Sequence, residues 1–199
     1  MKENNNKDLI QKRQQLQIQI RINELNGHLA DWWLPTIQLL NQEKCKWSLE
    51  YLVCATGDEH GFWGKVLFQP PWNQFHFTGE VIRNEKYHYV HEKIYKSFPG
   101  NHPVRYVPNL SVYKSEKVNN NQSILENIIK ILGIVDQPVY LLFARMAPVI
   151  VMQLSDIVKL ANTELLLSSE DICITSVSYE WLIFRSIEDE WRHGFYIVE

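Results

Sequence analysis

The chain is short of the features that usually announce a chemistry. Its three cysteines, Cys45, Cys54 and Cys173, are odd in number and nowhere in C-x-x-C spacing. That argues against a disulfide framework or a four-cysteine zinc site and fits a reducing compartment. No run of about 18 apolar residues occurs, so no segment is expected to span a bilayer. The opening Met-Lys-Glu-Asn-Asn-Asn-Lys-Asp leads into Gln-rich sequence and lacks the apolar stretch of a secretory signal. The expectation is a cytoplasmic protein with no membrane contact. Gly-rich phosphate loops, the G-x-S-x-G elbow, the dinucleotide fingerprint and H-E-x-x-H are all missing. No cofactor and no metal are expected, and the chain does not read as an enzyme.

What is present describes a folded protein. Apolar residues make up 45% of the sequence and charged ones 22%, far from a disordered composition. Seven Trp, nine Tyr and eight Phe favour a sheet-rich fold, because aromatic side chains suit pleated, half-buried surfaces. The net charge of −3 is unevenly spread. Residues 1–125 hold 15 Lys/Arg against 12 Asp/Glu, whereas residues 126–199 hold 5 against 11. Either this is solvated surface charge in two halves, or the C-terminal half turns an acidic face to a basic partner.

Residues 7–33 carry two periods at once. Leu16, Ile18, Ile20 and Ile22 alternate with polar residues, whereas Ile18, Ile22, Leu25, Leu29, Trp32 and Trp33 form a helical stripe. The longer stripe predicts a helix over residues 7–26, stopped at Gly27. From Lys46 to Tyr113 the signals are those of an antiparallel sheet. Strands are expected over Trp47–Ala55 and Phe62–Phe68, from Phe75 to Ile82 with a bulge at Gly79, and over Tyr87–Val90. Proline-rich loop sequence follows. Ser115–Gln122 has linker composition. It divides a β-rich N-terminal region, 1–118, from an α+β domain, 123–199.

The second part is the better signalled. Ser123 and Glu126 have the spacing of a capping box, Ile124, Leu125, Ile128, Ile129 and Leu132 give one apolar face, and Gly133 supplies the stop. Val139–Ala144 reads as a strand buried on both faces. Pro148–Met152 reads as a second short strand or the approach to a helix. Leu154, Ile157, Val158, Ala161 and Leu165 predict a helix over about Asp156–Leu166 with Ser155 as its cap. Three β-prone runs between Asp171 and Val198 close the chain as a meander. The expected class is α+β: antiparallel sheets with helices packed on one face.

Each candidate for chemistry has a plainer reading beside it. His88 and His91 would point to opposite faces of a strand, and His60 sits in a turn cluster, so turn or surface histidines are expected rather than a metal site. Asp58 and Glu59 are adjacent acids in a turn, not carboxyls facing across a cleft. Cys173 lies in an apolar run and reads as core. Residues 80–117 interleave seven Lys/Arg with Tyr87, Tyr89, Tyr95, Phe98, Tyr106 and Tyr113. That combination suits a single-stranded nucleic-acid groove, and it is the alternative to the reading that follows.

That reading places a protein-binding surface on the meander. Period two puts Trp181, Ile183, Arg185 and Ile187 on one face of the middle strand. If that face is open, Trp181, Arg185 and Trp191 stand beside the acidic turn Glu188-Asp189-Glu190, where aromatic and Arg anchors with a charged rim are typical of interfaces. Otherwise Trp181 and Trp191 are simply core. Leu154–Leu166, Asp171–Ser176 and Ser178-Tyr179-Glu180-Trp181-Leu182-Ile183 together resemble a class of small bacterial α+β domains, some of them similar to immunity proteins of polymorphic toxin systems. The resemblance covers the last third of the chain. It implies a non-catalytic cytoplasmic protein that binds and blocks a toxin through an acidic surface.

Overall fold

The computed structural model of the chain describes residues 33–54, 77–83, 89–114, 120–143, 146–166 and 170–196, together with isolated positions between 9 and 20. Those isolated positions are helical and exposed. The rest of the helix expected over 7–26, the strand expected over Phe62–Phe68, and Asp58, Glu59, His60 and His88 lie outside the described residues.

The elements are α1 (Trp33–Gln42), β1 (Trp47–Cys54), β2 (Phe77–Arg83), α2 (Tyr89–Ser97), β3 (Ser111–Val112), α3 (Asn121–Leu132), β4 (Pro138–Phe143), β5 (Met146–Gln153), α4 (Leu154–Lys159), β6 (Ile172–Ser176), β7 (Trp181–Arg185) and β8 (Trp191–Phe195). All eight strands form one sheet in the order β2-β1-β5-β4-β6-β7-β8-β3. The protein is therefore α+β, as its sequence predicts. Strands from both sides of segment 115–119 share this sheet. Every neighbouring pair is antiparallel except β1 with β2, which run parallel where an antiparallel sheet was expected. The bulge expected at Gly79 falls on β2. Leu49 pairs with Phe77 and Tyr51 with Glu80, so β2 holds the extra residue between them.

Period-two alternation sorts the strand residues into two cores. Leu141, Ile150, Ile174 and Ile183 face Leu125 and Ile128 of α3, Leu154 and Ile157 of α4, and Leu40 of α1. Leu142, Val149, Cys173, Leu182 and Phe184 face the other way, onto Val90 and Ile94 of α2 and onto Phe98. The central strands are buried on both faces, which is why β4, β6 and β7 read as nearly continuous apolar runs. Of the helices on the first face, α3 and α4 were expected and α1 was not, and α2 adds a layer on the opposite face.

Three local expectations are corrected. Tyr87–Val90 was expected as a strand, but α2 begins at Tyr89. Val90, His91, Ile94 and Ser97 recur at helical spacing and are buried, with Glu92 in the first turn and Lys96 in the last, where the helix dipole favours them. The cap of α3 is Asn120 rather than Ser123: its Oδ1 accepts from the Ser123 amide at 2.9 Å and from the Ser123 hydroxyl at 2.8 Å. Glu126 accepts from Gln122 at 3.0 Å instead of reaching back to the cap. Gly133, at φ 64°, terminates α3 as expected. Finally, α4 starts and ends earlier than Asp156–Leu166. The Ser155 amide and hydroxyl both donate to Asp136, which ties the first turn to the preceding loop. The Thr163 hydroxyl donates to the Leu160 carbonyl at 2.6 Å and folds the chain out of the helix. Leu160, Ala161, Leu165 and Leu166 are buried nonetheless.

Candidate functional site

The turn joining β7 to β8 is built from backbone upward. Ser186, itself buried, donates its amide to the Glu190 carbonyl at 2.9 Å and accepts the Asp189 amide on its own carbonyl at 3.0 Å. Its hydroxyl accepts the amides of Glu188 and Glu190, both at 3.2 Å. Asp171, buried just before β6, accepts the Ile187 amide at 3.0 Å. Asp189 takes a left-handed conformation at φ 62°, which Asp tolerates better than most residues. Residues 186–190 and Asp171 thus hold three carboxylates in a fixed array.

Each carboxylate meets its own arginine. Arg105 pairs with Glu188 and Arg185 with Asp189, and Arg192 Nε lies 2.6 Å from Glu190. The pairs share one orientation. Side-chain exposure is 24% for Arg105 against 54% for Glu188, 7% for Arg185 against 71% for Asp189, and 21% for Arg192 against 43% for Glu190. The guanidinium lies inward every time, and the carboxylate faces water. Arg105 and its hydrogen bond hold the Glu188 carboxyl below its usual range, so that carboxylate stays charged into mildly acidic solution. The loop carrying Arg105 is itself fixed, because His102 Nδ1 accepts the amides of Val104 and Arg105 at 3.2 and 3.1 Å. Val104 and Ile187, on the loop and the turn that Arg105 and Glu188 tie together, are 84% and 50% exposed.

The structure divides the expected site. Glu188 and Asp189 are exposed and Glu190 partly so. Trp181, Arg185 and Trp191 are buried, at 2%, 6% and 4% exposure. The face expected to open Trp181 and Arg185 to a partner is closed, because β7 is an interior strand between β6 and β8 and both of its faces are covered. Trp181 and Trp191 belong to the first core. Arg185 supports the turn from below, with Nε and Nη1 buried and lacking a hydrogen-bond partner.

Of the aromatic residues of segment 80–117, Tyr95, Phe98 and Tyr106 are likewise turned inward, whereas Tyr89 is half exposed. Tyr95 and Tyr106 stack with ring centroids 4.4 Å apart, and Tyr106 meets Phe184 edge-on at 5.9 Å. The Tyr106 hydroxyl donates to the Phe98 carbonyl at 2.9 Å, and burial pushes its phenol up. The rings of Tyr95 and Tyr106 are therefore packed against protein and not open to bases. His91, expected at the surface, is buried in α2 with Nε2 3.0 Å from the Phe143 carbonyl oxygen. Cys173 is core, its thiol pushed up by burial. Among the described residues, no group of three or more His, Cys, Asp or Glu is placed to hold a metal ion.

One cluster has no signal in the sequence. Glu50, Tyr89, Tyr140 and Tyr179 come together from β1, α2, β4 and the β6–β7 turn, and no spacing rule links these positions. The comparisons with known proteins add no relative: no protein-family model, no curated protein and no solved structure matches the chain.

Proposed function

We propose that this is a non-catalytic binding protein that engages a basic protein partner through the turn Ile187–Glu190 and the adjoining loop His102–Arg105. The observation that carries the reading is the common orientation of the three ion pairs, arginine inward and carboxylate outward. Such an array presents negative charge without relying on mobile side chains, so a partner meets groups already ordered. Exposed ion pairs contribute little, so a partner's lysine or arginine can compete for Glu188 at small cost. Exposed Val104 and Ile187 supply apolar contact beside the charges. The six-charge acidic excess of residues 126–199 favours the same class of partner.

The resemblance of the C-terminal third to immunity-type domains narrows the partner to a toxin domain that the protein binds and neutralises in a bacterial cytoplasm. The test is co-expression with the product of the adjacent gene, followed by co-purification. A stable complex is expected with the native chain, and loss of it with Glu188→Lys and Asp189→Lys combined. No complex with the native chain, or undiminished binding by the double variant, overturns the reading.

A further inference from the structure

Strand β3 is the shortest in the sheet, and it covers a histidine. It has two residues, both exposed, and stands last in the strand order. Ser111 pairs with His193 and Val112 with Arg192, and the Tyr113 amide donates to the Trp191 carbonyl at 2.8 Å. The ladder goes no further upstream, because the amides of Leu110 and Asn109 donate to the carbonyls of Pro108 and Pro99 instead. A segment held by so few bonds opens locally at far less cost than global unfolding.

The His193 ring lies beside this edge, on the first-core face that it shares with Ile183 of β7. Only 8% of the residue is exposed, and Nδ1 is buried without a hydrogen-bond partner. The Tyr113 ring meets it edge-on with centroids 6.4 Å apart, and Asn127 of α3 donates to the Tyr113 hydroxyl at 3.1 Å. A neutral imidazole is tolerated there, whereas an imidazolium would bury a charge and leave a donor idle. The surroundings supply no anion to pair with it. On β7 the charged residue of that face is Arg185, a cation engaged by Asp189. On β8 the same face carries Trp191 and Phe195, and β3 contributes Ser111. Lys114 and, on α3, Glu126 and Lys130 are exposed to water.

We propose that His193 gates the edge of the sheet: in acid its ring takes up a proton, Ser111–Tyr113 leave β8, and the main-chain groups of Trp191 and His193 that they covered are bared. Release of this segment is the least costly way to hydrate the ring, since β7 is an interior strand and α3 is fixed on the core by Leu125 and Ile128. Burial lowers the pKa of the covered ring below the ordinary 6.5, and the released ring regains that value. Release is therefore favoured as pH falls below 6.5, by up to about tenfold per unit, until the covered value is reached. Two upstream anchors confine the opening. Arg192 Nη1 donates to the Pro108 carbonyl at 3.3 Å, and Leu110 lies so close over Gly194 that its Cδ2 would be 2.8 Å from an added Cβ. The gate does not depend on what the acidic turn binds.

The experiment follows amide hydrogen exchange of the full chain by NMR from pH 7.5 to 5, corrected for the intrinsic pH dependence of exchange, together with the His193 ring resonances. Protection of the Tyr113 amide is expected to fall by up to about tenfold per pH unit below 6.5, while Leu142 and Ile174 in the central strands keep theirs. The fall is expected to track the titration of the His193 ring and to vanish in His193→Phe, which keeps a ring of similar size that cannot take a proton. Unchanged protection of Tyr113 overturns the proposal, as does loss of protection at Leu142 and Ile174 in step with it, which would mean global unfolding. So does the same fall in a folded His193→Phe variant. If His193→Phe does not fold, the native chain decides: loss of Tyr113 protection at a pH where the His193 ring does not titrate also overturns the proposal.

Discussion

At the scale of single residues, Arg185 and Asp189 show how a buried charge is tied to a surface feature. Arg185 brings a guanidinium into the core and keeps two buried N–H groups without partners. A buried charge is costly unless paired, so Asp189 stabilises the fold mainly by matching it. Asp189→Ala is expected to destabilise the protein by about 2 kcal/mol in urea unfolding, below the 3–5 of a fully buried pair because Asp189 is solvated. Arg185→Leu removes the charge and the orphan donors together and is expected to stay within about 1 kcal/mol of the native chain. A large loss in Arg185→Leu with none in Asp189→Ala would reverse this account. His193 offers a second test. It is buried on β8, Nδ1 has no partner, and burial lowers its pKa below the ordinary 6.5. The unfolded chain therefore takes up a proton that the folded one refuses, and this stability is present above pH 6.5 and lost as pH falls through the folded value. The urea midpoint is expected to drop between pH 7.5 and 5.5 in the native chain, and to drop less in His193→Phe.

At the scale of elements, sequence legibility tracks how much of the information is local. The body of α3 follows from one apolar stripe and the stop at Gly133, and both are as the residues imply. Its first turn does not, because Asn120 and Ser123 are both good cap residues and only the geometry shows which one accepts. Asn120→Ala is expected to cost about 1 kcal/mol in thermal or urea unfolding, and Ser123→Ala, which deletes only a hydroxyl donated to Asn120, to cost less. The opposite ranking would restore Ser123 as the cap. For α2 the local signal misleads: the aromatic residues around Tyr89 favour a strand, yet Val90, Ile94 and Phe98 find apolar surface only as one face of a helix. Helix α4 stops early because Thr163 caps a turn that periodicity cannot see.

At the scale of the whole molecule, class and core composition are legible, whereas the order of strands is not. The meander β6-β7-β8 joins neighbours through short turns, so sequence proximity specifies it. By contrast Trp47 pairs with Met152 and Ser111 with His193, contacts between distant residues that no local pattern encodes. The same reason hides the surface. The acids of the β7–β8 turn are visible in the sequence. Their arginines are not all neighbours, however, and Arg105 in particular comes from a loop more than eighty residues away. Burial of β7 on both faces follows from that strand order and takes Trp181 out of any contact surface. Leu142, wholly buried where β4 crosses the second core, is expected to show the usual core penalty: Leu142→Ala should cost about 2–5 kcal/mol.

The binding reading is tested most directly by placing a photo-crosslinking amino acid at Ile187 or Val104, beside the acidic turn, and at Val135, an exposed residue at the other end of β4. In cells that carry the native partner, one discrete protein adduct is expected from Ile187 and Val104, none from Val135, and loss of the adduct when Glu188→Lys and Asp189→Lys are added. Adducts of equal yield from Val135, or none from the turn, would contradict the assignment of this surface.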